Sequence, residues 1–327
     1  MAAVAYARDF ITNLSPAQVC QLFYVLSAAA VVTVAAVPDA AQRLLTQYGA
    51  RSSGNTTASA APRTQEATGP RLSDNNAGTL FRVVSRLTSV GMVPHSWFIH
   101  FYVLSLSCTI FWAIQFVTHG TVMELIVKNQ LSKSTSSSMA LGQVILVWFL
   151  MGLQGARRLY EYLAVLRPSF SRMWIIHWFL GNAFYLCTSV SIWVEGSGSI
   201  ECSSQGCAGA RFPVFKSVIA SSVFMTAWFM QYRCHRHLAG LKKYSLPDDG
   251  LFQYLVCPHY TCECLLYLSL AVLAAPDGQY CNQTLACAVL FVLSNLGVTA
   301  NGTKLWYGEK FGSDKVQGKW KMIPILF

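Results

Sequence analysis

Residues 251–268, LFQYLVCPHYTCECLLYL, place His259, Glu263 and Tyr267 at four-residue intervals just inside an apolar run. On a helix these three share one stripe. A carboxylate at the mouth of a membrane span is costly unless it faces a polar cavity or a partner. The stripe therefore reads as one wall of a ligand pocket. The same stretch holds Cys257, Cys262 and Cys264, which with His259 make four soft or borderline metal ligands within eight residues. Zinc takes four ligands at tetrahedral corners, usually from two separated pairs. With Pro258 in the first helical turn, Cys262 and Cys264 point to nearly opposite sides. One such segment cannot wrap an ion without unwinding, so no metal is expected and the cysteines read as packing residues.

Three other stretches carry similar chemistry: QGARRLYEYL (154–163), QYRCHRHLAGLKKYSLPDDGLFQYL (231–255) and NGTKLWYGEKFGSDKVQGKWKMIPILF (301–327). Each mixes basic residues with aromatic and acidic ones beside an apolar run. Taken singly, such cations anchor topology and such aromatics form an interfacial belt. Taken together on one face, Arg157, Arg158, Lys242 and Lys304 suit an anionic ligand, Arg by bidentate contact and Lys as a point charge.

The elements that must position these residues are membrane helices. Of 327 residues, 54% are apolar and 12% charged, against about 25% charge in a typical soluble domain. Seven windows suit a ~30 Å hydrocarbon core: about 17–37, 95–117, 138–156, 173–194, 213–232, 258–276 and 284–301. The fold expected is all-α, an integral membrane bundle of about seven helices. There is no G-x-G-x-x-G after a strand, which excludes a Rossmann domain, and no internal repeat points to a transporter. Residues 1–40 read as an N-terminal membrane anchor, 41–92 as a flexible cytosolic loop, and 93–327 as a six-helix core. With a luminal N-terminus and cytosolic C-terminus, 19 of the 24 Lys and Arg fall on the cytosolic side, as the positive-inside rule requires. The net charge of +10 then reflects topology; neither nucleic acid nor an obligate protein partner is expected. On the luminal side, Cys202 and Cys207 are close enough in sequence to pair, and Asn282 heads a sequon close to the membrane.

The motifs together resemble the steroid 5-alpha-reductase family, and within it the polyprenal reductase branch. They are VPHSWFIHFYVLS at 93–105, the Arg-Arg-Leu-Tyr-Glu of 157–161, the run from QYRCH through LKK to YSLPDDGLFQYLVCPHYTCE, and TKLWYGEKF with IPILF at the end. The resemblance implies an endoplasmic reticulum oxidoreductase that embeds NADPH among the cytosolic helix ends. By matching position it assigns Arg157 to the cofactor phosphates, with Arg158 and Glu161 in the same motif. Gln231 and His235 stand where relatives often carry Asn and Asp. Lys242 and Tyr244 match residues at the diphosphate, and His259 with Glu263 an Asn-x3-Glu pair at the nicotinamide-ribose end. Lys304 and Tyr307 belong to the last helix, where Tyr307 matches a cofactor-contacting tyrosine. Three positions depart from the pattern: His259 replaces Asn, Ser245 replaces a frequent Arg, and Gln154 replaces a Tyr or His near the substrate carbonyl.

The implied reaction is reduction of the α,β double bond of polyprenal to dolichal, on the route to the dolichol carrier of N-glycosylation. Hydride addition needs an atom to accept charge, which an unsaturated aldehyde has in its carbonyl oxygen and an allylic alcohol lacks. The proton donor expected is Tyr102 with His100 nearby; Gln154 and Tyr160 remain alternatives. Rival readings are a steroid or long-chain enoyl reductase, a methyltransferase using S-adenosylmethionine, and a seven-helix receptor or transporter.

Overall fold

The computed structural model describes residues 13–36, 91–134, 138–166, 171–207, 210–242 and 245–327. Tyr244 and nearly all of the 41–92 segment lie outside the described residues. Seven helices of 16–29 residues fall on the seven apolar windows: α1 (Pro16–Ala35), α2 (Ile99–Val117), α4 (Leu141–Tyr160), α5 (Ile175–Ser191), α7 (Val214–Gly240), α8 (Pro258–Leu273) and α9 (Gln283–Phe311). Shorter helices α3 (Thr121–Lys133), α6 (Ser197–Gln205) and α10 (Asp314–Gln317) lie between or after them.

Among the described residues, four helical segments are long and apolar enough to cross a membrane: Pro16–Ala35, His95–Val117, Ile175–Gln205 and Gln283–Phe311. The count of about seven spans thus stays an expectation from the sequence. The physical reason is visible in the other three helices. The α8 helix has only 16 residues. The α4 and α7 helices bury Gln143, Gln154, Arg157, Gln231 and His235, so the polar residues that build the interior lower their hydropathy.

Among the described residues the only sheet is a two-stranded antiparallel clasp between β1 (Met92–Pro94) and β2 (Arg172–Trp174), with Val93 opposite Met173. It ties the start of α2 to the start of α5 and so fixes where Tyr102 enters the bundle. The main core runs through the middle, from Tyr24 and Trp193 to Phe224, Leu270 and Leu285, all 1% exposed or less. The α8 helix begins at Pro258, as the helix-start reading required. Its approach is held by the segment after α10: Val256 N donates to Trp320 O (2.8 Å) and Cys257 N to Lys321 O (3.0 Å).

Away from that end, Cys202 and Cys207 are bonded, with Cys202 inside α6 rather than in an open loop. Asn282 is fully buried and caps α9, accepting from Leu285 N (2.9 Å) and donating to Ala274 O (3.3 Å). A side chain committed this way is closed to glycosylation, so the sequon is used as a helix cap.

Candidate functional site

Four helix ends meet at the edge of the bundle expected to face the cytosol: the C-terminal ends of α4 and α7 and the N-terminal ends of α2 and α8. Cations suit a helix C-terminus, which is where Arg157 and Arg158 sit. Beyond Tyr160 the chain continues as a π-helical turn, Glu161–Val165, a distortion frequent at functional sites. It begins with Glu161, whose side chain is completely buried.

Glu161 organises the cations. Arg157 Nη1 pairs with its Oε1, and Arg158 Nη1 with its Oε2 at 2.5 Å. His235 Nδ1 lies 2.8 Å from both Glu161 Oε2 and Arg158 Nη1; it can donate to the carboxylate or accept from the guanidinium, not both. Arg157 Nη2 donates to Gln154 Oε1 (2.7 Å) and to Gln231 Oε1. Gln231 in turn donates to Glu263 Oε2 and to the backbone oxygen of His259 (3.1 Å). Arg158 Nη2 donates to Tyr102 Oη (2.8 Å), and its guanidinium lies over the Tyr102 ring at 5.0 Å.

Glu161 and His235 lie beyond the apolar windows 138–156 and 213–232. Burial alone pushes the Glu161 carboxyl up, but His235, Arg158 and Arg157 outweigh it and hold it at about 2. Burial, reinforced by Arg158, pushes His235 down to about 4 against the pull of Glu161. At neutral pH Glu161 is therefore a carboxylate held between two guanidinium groups.

The structure thus joins Tyr102, Gln154, Arg157, Arg158, Glu161, Gln231, His235, His259 and Glu263. Other expected residues lie elsewhere. His100 Nδ1 accepts from Trp178 Nε1 (3.1 Å) beside Trp97, on the exposed side of α2. Lys242 is exposed just past α7. Lys304 Nζ holds the backbone oxygens of Lys319 (2.5 Å) and Gln317 (3.2 Å). Tyr307 packs with Trp306 and Phe311 and joins the satellite core around Met322. Sequence reasoning missed Trp228, whose ring lies 5.2 Å from the Arg157 guanidinium carbon. The signal was there: Trp228 precedes Gln231 by three residues, one turn along the same face of α7.

Residues 172–327 match the family model described as 3-oxo-5-alpha-steroid 4-dehydrogenase. That match covers slightly less than half of the chain. The chain is also similar to the polyprenal reductase of Saccharomyces cerevisiae, 32% identical over 186 residues, 55% of this chain and 64% of that protein. The chain thus aligns with slightly less than two thirds of the yeast protein's length. Polyprenal reductase 2 of Oryza sativa subsp. japonica is 25% identical over 288 residues, 72% of this chain and 79% of the relative. For the polyprenal reductase of Caenorhabditis elegans the values are 28% over 248 residues, 67% and 75%. All three relatives carry the name polyprenal reductase. The matched region contains Gln231, His235, His259 and Glu263 of the cluster, whereas Tyr102, Gln154, Arg157, Arg158 and Glu161 precede it.

Proposed function

We propose that this chain reduces the α,β double bond of polyprenal to give dolichal, with NADPH as cofactor, as a multi-pass protein of the endoplasmic reticulum membrane. Dolichal would feed the dolichol carrier of protein N-glycosylation. The observation that carries the reading is the Tyr102–Arg158 pair. The guanidinium has only donors, so the phenol oxygen accepts from Arg158 and its own O–H remains to be given elsewhere. That is what a developing oxyanion requires, in a chain similar to proteins named polyprenal reductases.

The residues fit a nicotinamide dinucleotide. Arg157 Nε and His259 Nδ1 are buried and meet no hydrogen-bond partner among the described residues. The first can only donate and the second can donate or accept, which suits phosphate, ribose or carboxamide groups. Arg158 is the more open of the two arginines, its side chain 19% exposed, and serves the phosphates. His259 and Glu263 hold the nicotinamide-ribose end, and the sequence resemblance assigns Lys242 and Tyr244 to the diphosphate and Tyr307 to a cofactor contact on the last helix. When bound, NADPH supplies hydride to the β-carbon of the substrate. Tyr102 would hold its proton toward the aldehyde oxygen as that oxygen gains charge, and a proton taken up from water at the α-carbon would then complete the saturated aldehyde. Arg158 fixes the phenol through its hydrogen bond and its place over the ring, and Glu161 holds Arg158. Gln154, on the same helix face as Arg157, borders the carbonyl. The isoprenoid tail lies against the apolar helix faces or in lipid.

Purified protein incubated anaerobically with NADPH and either polyprenal or polyprenol, with products read by mass spectrometry, tests the proposal. Saturation of the aldehyde is the expected result; reduction of the alcohol alone would overturn the mechanism. A 3-oxo-4-ene steroid belongs in the same assay, because the family description favours it as the second reading. Binding of S-adenosylmethionine instead of NADPH, or absence of any turnover, would point to the methyltransferase or transporter readings.

A further inference from the structure

Gln231 lies at the centre of the cluster and is 2% exposed. A carboxamide offers two N–H donors and one oxygen that accepts twice. Here all four positions are used by the protein. Oε1 accepts from Arg157 Nη2 and from Gln154 Nε2 (3.3 Å), and Nε2 donates to Glu263 Oε2 and His259 O (3.1 Å). The amide orientation is fixed by chemistry, because a guanidinium only donates whereas a carboxylate and a backbone carbonyl only accept. A flipped amide would set donor against donor at Arg157 and acceptor against acceptor at Glu263.

Two consequences follow from this saturation. Gln231 has no hydrogen-bonding position left for a cofactor atom. It is also a neutral group standing between a cation and an anion, Arg157 on α4 and Glu263 on α8. Opposite charges in a poorly solvated site attract strongly, and without a spacer they would close on each other. With Nη1 paired to Glu161 and Nη2 to Gln154 and Gln231, Arg157 Nε meets no hydrogen-bond partner among the described residues.

We propose that Gln231 is a positioning residue, a neutral spacer that keeps Arg157 and Glu263 apart and aimed, and that it acts on the cofactor only through them. The inference rests on the NADPH reading above and changes the role that sequence resemblance implied for this position.

A double-mutant cycle on the full-length purified protein tests it, with NADPH affinity read by cofactor fluorescence. Gln231→Met should raise Kd about tenfold, or about 1.4 kcal/mol. In a Glu263→Gln background the same substitution should change Kd by less than about twofold, because no anion remains to draw Arg157 away. Gln231→Glu keeps the acceptor for Arg157 but sets a like charge against Glu263, and its effect should also vanish in that background. It serves if the Met variant does not fold. An equal tenfold loss in both backgrounds would mean that Gln231 touches the cofactor directly and would overturn the proposal, as would no change in either. A purely structural role would lower the thermal midpoint alike in both backgrounds, with no dependence on residue 263. Wild-type protein that bound no NADPH would overturn the cofactor reading itself, a result distinct from either of these.

Discussion

The two ends of the bundle handle buried polar groups differently. At the Arg157–Glu161 end, side chains bond mostly to other side chains: Arg158 to Tyr102, Glu161 and His235, and Gln231 to Arg157, Gln154 and Glu263. At the opposite end they bond mainly to backbone. Gln143 Nε2 donates to Leu273 O (2.7 Å) and Ala275 O (2.9 Å), Lys216 Nζ donates to Ala275 O (2.7 Å), and Asn282 caps α9. Glu195 there accepts from Thr284 N (2.8 Å) and Thr284 Oγ1 (2.6 Å), a carboxyl group at the N-terminus of a 29-residue helix. Side chain–side chain bonds are the minority class in proteins, and their concentration at one end has a physical meaning. A side chain that caps a helix end holds a fixed backbone and is a structural device. Side chains that hold each other can exchange partners when a ligand arrives.

That contrast can be broken or sharpened by substitution. The largest effect on folding is expected from Glu161→Gln, which strands Arg157 and Arg158 beside a neutral amide. Removing one partner of a buried ion pair costs about 3–5 kcal/mol, so the thermal midpoint in detergent should fall sharply. A fall no larger than that of a surface substitution would show that the cluster does not support the fold. Tyr102→Phe comes next and should affect chemistry instead. Loss of one oxyanion donor lowers kcat by about 10²–10³, with helix content and thermal midpoint little changed. Full activity in this variant would remove Tyr102 as the donor and bring His100 or Gln154 forward. At the other end, Gln143→Leu removes bonds to two carbonyls and one helix-start amide. It should cost about 1–3 kcal/mol of stability while leaving KM for NADPH within about twofold; a large KM change would erase the distinction between the ends.

The smallest predicted effect is a pH dependence confined to the cluster. His235 is held at about 4 against an ordinary 6.5, so its folded form is depressed. The stability it contributes is complete above about 6.5 and is lost as pH falls toward 4. Glu161, held at about 2 against 4.5, adds a second loss between 4.5 and 2. The facing charged groups are Arg157 and Arg158 from α4 and Glu263 from α8. The thermal midpoint should decline from pH 6.5 to 4, and His235→Gln should flatten that part of the curve. An unchanged slope would place the titrating group elsewhere.

Much of this was legible in the sequence. The helix start at Pro258 followed from proline at a first turn, and the convergence of QGARRLYEYL, QYRCH and CPHYTCE followed from basic and acidic residues beside apolar runs. Three things were not legible. Sequence spacing cannot show that Lys304 is spent on the backbone oxygens of Gln317 and Lys319, because the returning segment comes from beyond α9. Asn282 reads as a sequon until its burial shows it to be a cap. The balance of charge in the cluster was also hidden, because counting cations near a span does not reveal which carboxylate each one meets.

Composition and order by themselves determined the class of this protein: an apolar helical chain with polar motifs at helix ends, in an order that resembles a reductase family. These properties depend on hydrophobic periodicity and local spacing, which are written along the chain. Only the tertiary structure decided the partners. Tyr102, Arg158, Glu161, Gln231, His235 and Glu263 come from α2, α4, the π-helical turn, α7 and α8, and their bonds span up to 77 residues. A hydrogen bond is settled by where a donor and an acceptor finally stand, and here that depends on how the helices pack.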